Sequence, residues 1–415
     1  MQVDGSQDHI LSPPGKAPLL LVNSRRGWLR SAALGLGLRA SCRHAYGAGR
    51  DDSIGTLHTI LGQYQSQLDE VRRQNGGSRS LPAVRWFVFG RGNRRKLLYR
   101  DGRLSDARTG ELLRHWDVVD ELIVPPVATI LLMLRSGDRV RIVEEEQSLW
   151  LTEGPRRETL CAQPVKLPSF AGQSADLVLK TLHHEILVNL VQGRPLPNLF
   201  SPTQPRYREA TMVAMVLKTT GNLDLIRDWI LGLREPFDSA PGGERQADNL
   251  GQVLYLVSLV SDRNHPVVNR VLEAIPELRR DNYIVGMTDS AEHPVYQTAW
   301  LKFGLRALGL EDPFQVPAVA DPYGSLFWID FRDAIHNQAT DLEKATNPAM
   351  AWASDHAQNT HTGALGDRDF PLTWGPAEAA NIVPGFKLSL PEYEKKKRAA
   401  PNSWHAAEMF LRLLK

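Results

Sequence analysis

The sequence predicts a mixed α+β fold of several domains, in which an antiparallel β-sandwich is followed by a closed, toroid-like all-α array. Short apolar runs separated by turn residues fill 81–170, which is the pattern of antiparallel strands. From 171 to 415 the apolar residues recur at helical spacing instead. Because these helices follow one another without strands and through short connections, we expect them to pack as paired hairpins.

Size and composition limit the possible functions. The chain has 415 residues, 42% hydrophobic and 23% charged, so it can bury a large core. A net charge of only +2 gives no general attraction to nucleic acid. There is no CxxC pair, no cofactor motif, and no apolar run near the roughly 18 residues of a membrane span. We therefore expect no nucleic-acid partner, no integral membrane segment, no cofactor and no metal, while the oligomeric state stays open.

The N-terminal segment, 1–80, contains one clear helical pattern, at 54–74. Upstream of it, Arg25 and Arg26 precede a short apolar run, which is the arrangement of a twin-arginine export signal. The run is short and starts far from the beginning of the chain. The alternative is therefore an ordinary basic, apolar helix of a cytoplasmic protein, and the localisation stays open between the two.

The strand patterns of the next segment surround a loop rich in glycine and arginine. They lie at 85–89, 96–100, 122–124, 128–134, 140–143 and 149–152. Asp101 and Gly102 form a hairpin-turn dipeptide. The loop at 90–96 is similar to a phosphate-binding glycine loop, but a strand follows it and not the helix whose N-terminus would hold phosphate. We interpret it as a basic hairpin turn.

Helical patterns continue to the end of the chain. They lie at 174–192, 206–219, 222–234, 248–262, 266–274, 294–308, 325–336, 343–354, 375–381 and 403–414. No fixed-period repeat relates them, which argues against tetratricopeptide-like and ankyrin-like arrays.

Polar side chains collect at the front ends of two apolar helices. They are Tyr207, Arg208 and Glu209 in one, and Asp248, Asn249 and Gln252 in the other. An aromatic ring beside a guanidinium suits a sugar or a carboxylate ligand. Each acid also has a structural explanation, since the helix dipole favours a carboxylate in the first turn and Asp is a good N-cap. Gly251 is unexpected inside a helix, and predicts the close approach of a ligand or a neighbouring helix.

Three later helix entries carry similar groups. They are Asp289, Glu292 and His293, then Trp374 and Glu378, then Trp404. Pro294 suits the first position of a helix, which brings Glu292 and His293 to the helix mouth. Glu292 is a candidate general acid, with Asp289 as its partner or as a cap. The tryptophans suit stacking on a sugar face, although core packing is the commoner role of this residue.

These repeated clusters behind a sandwich resemble the six-hairpin (α/α)6 glycosidases of the glucoamylase kind. In that group an Arg-Asp pair opens a barrel helix, and the run Tyr-Arg-Glu-Ala at 207–210 takes that place here. The group also has an acid before a Gly-containing helix start, which the run 248–252 resembles. Glu209 replaces the usual Asp, and we assign Glu292 and Glu378 to the family's acid–base glutamate pair.

The resemblance implies a carbohydrate-active enzyme, most specifically an inverting glycoside hydrolase of an oligo- or polysaccharide. Inversion needs an acid and a base about 6.5–9.5 Å apart, with water between them. Glu292 is expected to protonate the leaving oxygen, and Asp248 or Glu378 to activate water. The residues expected to bind the sugar are Tyr207, Arg208, Glu209, Asn249, Gln252, Asp289, His293, Trp374 and Trp404.

Two other functions stay open. The first is a toroid that binds carbohydrate or regulates without catalysis, which the replacement at Glu209 favours. The second is a uronic-acid lyase or epimerase, in which Arg208 binds the substrate carboxylate and His293 or Tyr207 moves the proton.

Overall fold

The computed structural model describes residues 54–74, 86–200, 204–238, 243–288, 291–319 and 403–414. By its contacts the chain divides into Met1–Ser53 and Ile54–Lys415, and all described residues lie in the second unit. The fold there is mixed α+β, with antiparallel sheets and eight α-helices in the described ranges. Several predicted features lie outside the described residues: Arg25 and Arg26, Asp289, Trp374, Glu378, and the helices at 325–336, 343–354 and 375–381.

Two antiparallel sheets occupy the segment predicted to be strands, and each strand pairs with the next along the chain. The first sheet contains β1 (Trp86–Phe89), β2 (Leu97–Arg100), β3 (Arg103–Asp106) and β4 (Leu112–His115). The second contains β5 (Val118–Val124), β6 (Thr129–Leu134), β7 (Arg139–Glu144), β8 (Ser148–Glu153) and β9 (Arg156–Ala162). Asp101 and Gly102, both at positive φ, make the predicted turn between β2 and β3.

The two sheets share one hydrophobic cluster. Val140 and Ile142 of β7 contribute to it, while Arg141 between them does not, as expected for side chains that alternate across a strand. Leu199 and Phe200, which follow the strand segment in the chain, also belong to the cluster. The prediction of antiparallel strands is confirmed, and the sandwich architecture itself stays a prediction.

The helices are α1 (Ile54–Gln74), α2 (Asp176–Val188), α3 (Tyr207–Thr219), α4 (Arg227–Leu231), α5 (Asn249–Ser258), α6 (Pro266–Leu278), α7 (Pro294–Ala307) and α8 (Ser403–Leu413). Each falls on a predicted helix. The pattern at 222–234 is not one helix, however, because a 3₁₀ turn at Leu223–Ile226 precedes the short α4. The closed (α/α)6 ring stays a prediction, and none of the described helices is long and apolar enough to cross a membrane.

Helices α5 and α7 cross at two glycines. A Cβ on Gly251 would lie 2.1 Å from the carbonyl carbon of Trp300, and a Cβ on Gly304 would lie 2.4 Å from the carbonyl oxygen of Gly251. Only glycine permits so close a contact between two backbones. The prediction that a neighbouring helix approaches Gly251 is therefore confirmed, and this crossing packs the start of α5 against the second half of α7.

Three two-stranded hairpins were not predicted from the sequence. They are β10 (Leu190–Val191) with β11 (Arg194–Pro195), β12 (Arg279–Arg280) with β13 (Tyr283–Ile284), and β14 (Met287–Thr288) with β15 (Ala291–Glu292). Two residues per strand leave no periodicity to detect. The third hairpin leads directly into α7, so it brings Thr288 and Glu292 to the entrance of that helix.

Candidate functional site

The starts of α3, α5 and α7 meet in one buried, hydrogen-bonded cluster, which we call the helix-start network. Its members are Arg208, Gln246, Asp248, Gln252, Thr288 and Gln297. Arg208, Asp248 and Gln252 are three residues that the sequence selected separately as helix-end groups. In the fold they contact one another directly.

Asp248 is the centre of the network and is completely buried. Its Oδ2 accepts hydrogen bonds from Nε of Arg208 at 3.2 Å and from Nε2 of Gln252 at 2.7 Å, and its Oδ1 accepts one from Oγ1 of Thr288 at 2.9 Å. The side chain does not cap α5, because it makes no hydrogen bond to that helix's backbone N–H groups. Its partners come from α3, from its own helix and from the β14 hairpin, so Asp248 fixes three elements relative to one another.

The network extends through two amides. Nη2 of Arg208 donates to Oε1 of Gln246 at 2.7 Å. Nε2 of Gln297 donates to Oγ1 of Thr288 at 2.9 Å and to the carbonyl oxygen of Gly286 at 2.7 Å, which ties α7 to the hairpin. A buried ion pair tolerates its loss of hydration only when further hydrogen bonds satisfy it, and these bonds meet that requirement.

Asp238 borders the network and was not selected from the sequence. Its Oδ2 accepts a hydrogen bond from the backbone N–H of Tyr207 at 2.7 Å, and its own N–H donates to Oδ1 of Asn249 at 3.1 Å. Burial raises the pKa of this carboxyl to about 6, and the nearby charges of Glu209 and Asp248 act in the same direction.

The chain around Asp238 carries no local signal for this role. It lies in the connection between α4 and α5, and its partner Tyr207 is 31 residues away in the sequence. A side chain that binds the first turn of a distant helix leaves no capping pattern beside that helix.

Tyr207 and Glu209 lie inside the protein rather than at an open surface. The hydroxyl of Tyr207 donates to the carbonyl oxygen of Glu235 at 2.7 Å, and burial raises its pKa above the usual range. Glu209 is buried, with its Oε1 3.9 Å from Nη1 of Arg206. The tyrosine hydroxyl and the Arg208 guanidinium are both occupied by protein groups, which gives less support to the lyase or epimerase alternative.

The residues predicted before α7 are placed differently from one another. Glu292 has half of its side chain exposed, and its Oε1 lies 3.8 Å from Nη2 of Arg280. His293 is buried at the start of α7, where its carbonyl oxygen accepts the N–H of Gln297. Trp404 occupies the first turn of α8, and its side chain is outside the described part of the chain. Glu292 therefore lacks the sheltered surroundings that we expected for a general acid.

A second buried polar cluster, which we call the loop network, surrounds the hairpin loop at 90–96. Oε1 of Glu144 accepts hydrogen bonds from the N–H of Arg91 at 2.7 Å and from Nη1 of Arg94 at 2.9 Å. Nε of Arg91 donates to Nδ1 of His184 at 2.8 Å, and Nζ of Lys96 donates to two backbone carbonyls of the loop. The loop is a hairpin turn, as predicted, but Arg91, Arg94 and Lys96 are buried and bound within the protein, whereas Arg95 is exposed.

Burial displaces the pKa values of several groups in the loop network. It lowers the pKa of Lys96 to about 7 and that of Arg91 to about 10, because the charged forms lose their hydration. Burial and the adjacent guanidinium also lower the pKa of His184 well below its usual value, so its ring is neutral. Because these cations are hydrogen-bonded to protein groups, they are not available to bind phosphate.

No known protein family, curated protein or solved structure matches the chain. The resemblance to six-hairpin glycosidases therefore rests on the residues alone. In the ranges that the structure describes, no group of three His, Cys, Asp or Glu side chains lies close enough to hold a metal ion.

Asp248 differs in its surroundings from Asp238 and Glu292, the partly buried and the exposed carboxylate discussed above. Asp248 is completely buried and accepts three hydrogen bonds from protein donors, so its surroundings do not suit the activation of a water. Its geometry suits the positioning of Arg208 and Gln252. Among the acids discussed above that the structure describes, Asp238 and Glu292 are more exposed than Asp248 and Glu209.

Proposed function

We propose that this protein acts on carbohydrate, most specifically as an inverting glycoside hydrolase of an oligo- or polysaccharide. The observation that supports the proposal is the meeting of three helix starts in one network, built on the residues that resemble the six-hairpin glycosidases. In such a protein the helical part closes into an (α/α)6 toroid behind a β-sandwich. The sugar site then lies at the end of the helices where Arg208 and Asp248 meet.

The buried surroundings of Asp248 change its role in this proposal. It holds Arg208 and Gln252 in place, and the base that activates water is Glu378 or Glu292. A displacement of about 1 Å in a site can cost about 100-fold in rate, so a positioning residue still matters for catalysis.

The experiment is a hydrolysis assay of the full-length chain. Soluble starch, cello-oligosaccharides, mannan, xylan and polygalacturonate are incubated with wild type, Asp248→Asn and Glu292→Gln, and the released reducing ends are measured. We expect release by wild type, a loss of about 100-fold for Asp248→Asn, and a loss of 100-fold or more for Glu292→Gln if it moves a proton. The anomeric configuration of the first product, read by NMR, tests inversion.

Glu277→Gln is the matched control. Glu277, like Glu292, is an exposed glutamate beside an arginine, with its Oε2 3.3 Å from Nη1 of Arg245. We expect wild-type activity from this variant. If Glu292→Gln behaves in the same way, Glu292 has no role in the chemistry, and if wild type releases no reducing ends from any glycan, the hydrolase proposal is wrong.

A second candidate is a toroid that binds carbohydrate without cleaving it. Asp248 is completely buried and accepts hydrogen bonds from protein donors at both oxygens. This favours the binding protein, because one of the expected catalytic carboxylates then takes no part in chemistry. Calorimetric titration with the same soluble oligosaccharides separates the two functions. Saturable binding by wild type together with no product after prolonged incubation supports the binding protein.

A further inference from the structure

We propose that Asp238, and not Glu292, is the acid that donates a proton to the leaving oxygen at this site. The inference rests on the proposed function, since it assigns one step of glycoside hydrolysis to one residue. The supporting observation is the hydrogen bonding of Asp238. Its backbone N–H and one carboxyl oxygen make hydrogen bonds, and its second carboxyl oxygen makes none within the described residues.

The hydrogen bonds of Asp238 are asymmetric. Oδ2 accepts the backbone N–H of Tyr207 at 2.7 Å, and the main-chain N–H of Asp238 donates to the side chain of Asn249 at 3.1 Å. Oδ1 accepts no hydrogen bond from any other residue that the structure describes. A carboxylic acid held in this way keeps its orientation while one oxygen remains to carry and release a proton.

Asp238 is also the most accessible of three neighbouring acids. Asp248 is completely buried and Glu209 is 5% exposed, whereas Asp238 is only partly buried. Of these three acids, Asp238 therefore offers the most surface to a ligand from solvent.

The charges around Asp238 favour its protonated form. Burial has the largest effect on its pKa, and the carboxylates of Glu209 and Asp248 also raise it. The hydrogen bond from the N–H of Tyr207 and the guanidinium of Arg208 lower it, and the pKa remains at about 6. A general acid must hold its proton near the working pH, and a sheltered carboxyl beside other acids meets that need. Glu292 has no comparable shelter, because half of its side chain is in solvent.

The assigned step is balanced in atoms and charge. The carboxyl proton of Asp238 passes to the glycosidic oxygen as the bond between that oxygen and the anomeric carbon breaks, and the bonding electrons remain on the oxygen. A water oxygen bonds to the anomeric carbon, and its proton passes to the carboxylate of Glu292, which acts as the base. The products are two sugars, with Asp238 ionised until solvent returns its proton.

The test compares two substrates for Asp238→Asn. One is the polysaccharide that wild type cleaves, and the other is the fluoride of the same sugar, whose leaving group needs no proton. We expect kcat on the polysaccharide to fall by 100-fold or more and kcat on the fluoride to fall by less than 10-fold. For wild type on the polysaccharide, we expect kcat to fall as the pH rises through about 6, because Asp238 loses its proton. On the fluoride we expect no such fall.

Asp224→Asn serves as the matched control, because Asp224 is an exposed aspartate at the surface turn before α4. We expect it to retain wild-type rates on both substrates. Asp238→Ala is the second variant, with the same split between substrates expected, and circular dichroism verifies that each variant is folded.

The outcomes separate the two proposals. Unchanged rates for Asp238→Asn, or equal losses on both substrates, overturn the role of Asp238 and leave the hydrolase standing. No cleavage of any polysaccharide or of any α- or β-fluoride of glucose, galactose, mannose and xylose by wild type overturns the proposed function itself.

Discussion

The helix-start network and the loop network are built in the same way but differ in how completely they are enclosed. Each places one buried carboxylate, Asp248 or Glu144, against the guanidinium of an arginine. In the loop network three cations share one carboxylate, and backbone carbonyls complete their hydrogen bonds. In the helix-start network one carboxylate faces one guanidinium, and a further acid at its border, Asp238, is only partly buried.

This difference teaches that a displaced pKa does not by itself locate a site. The pKa of Lys96 is lowered to about 7 and that of Asp238 is raised to about 6, both mainly by burial. Lys96 donates its hydrogen bonds to carbonyls of its own loop, which is a packing role. Asp238 has a raised pKa, is partly exposed to solvent, and has one carboxyl oxygen that accepts no hydrogen bond from a described residue. This combination makes it a functional candidate.

The largest expected effect is on stability, from Glu144→Gln. The change leaves Arg91, Arg94 and Lys96 buried without their carboxylate, and removal of one partner from a buried ion cluster costs about 3–5 kcal/mol. Urea unfolding followed by tryptophan fluorescence measures the loss. The exposed neighbour Glu145→Gln should stay within about 0.5 kcal/mol of wild type.

The same measurement on Asp248→Asn sharpens the comparison. Asp248 faces one guanidinium instead of three cations, so we expect a smaller cost of about 1–3 kcal/mol. A larger loss for Asp248→Asn than for Glu144→Gln would show that the helix-start network, and not the loop network, is the main polar support of the fold.

A second prediction concerns the pH dependence that Asp238 contributes. Because its pKa is raised in the folded state, from 3.8 to about 6, its stabilisation is complete below about pH 4 and is lost as the pH rises through 6. Asp238→Asn removes this cost and should be more stable than wild type at pH 7, by on the order of 3 kcal/mol. The difference between the two proteins in unfolding free energy, measured from pH 4 to 7, should grow with pH; a constant difference would contradict the burial of a titrating acid.

A further effect on stability is expected at the glycine crossing between α5 and α7. Gly251→Ala places a methyl group against the backbone of Trp300, and overpacking of this kind costs about 1–3 kcal/mol. Gly62→Ala in α1 is the control, since nothing lies within 4 Å of its added carbon and helix propensity favours Ala by about 1 kcal/mol. Thermal unfolding should therefore shift in opposite directions for the two variants, and a stabilised Gly251→Ala would show that α5 and α7 are free to move apart.

The helices and six of the nine strands in the two larger sheets follow from local sequence patterns, whereas β3, β4 and β9 fall outside the predicted runs. The helical spacing at 54–74 predicts α1 to the residue, and Pro294 predicts the start of α7. The two-residue hairpins and the 3₁₀ turn before α4 were not predicted, because such short elements contain too few residues for a periodicity.

The candidate site could be predicted only in part. Arg208, Asp248 and Gln252 carry a signal, since polar groups at the start of an apolar helix stand out in the sequence. Asp238 carries none, because it lies in a connection and acts on the start of a helix 31 residues away. The sequence also could not predict that Glu292 is exposed, since its position depends on a hairpin with only two residues in each strand.

The sequence alone was sufficient to locate the helices and six strands of the larger sheets, to show which helix starts carry charge, and to predict that a ligand or a helix approaches Gly251. The tertiary structure decided what those charges do. Asp248 does not cap its helix but binds Arg208 and Thr288, each 40 residues away, and Arg91 and Arg94 of the 90–96 loop are buried instead of solvated. The physical reason is that propensity and periodicity act over a few residues, whereas burial and the choice of a hydrogen-bond partner depend on which distant segments the fold brings together.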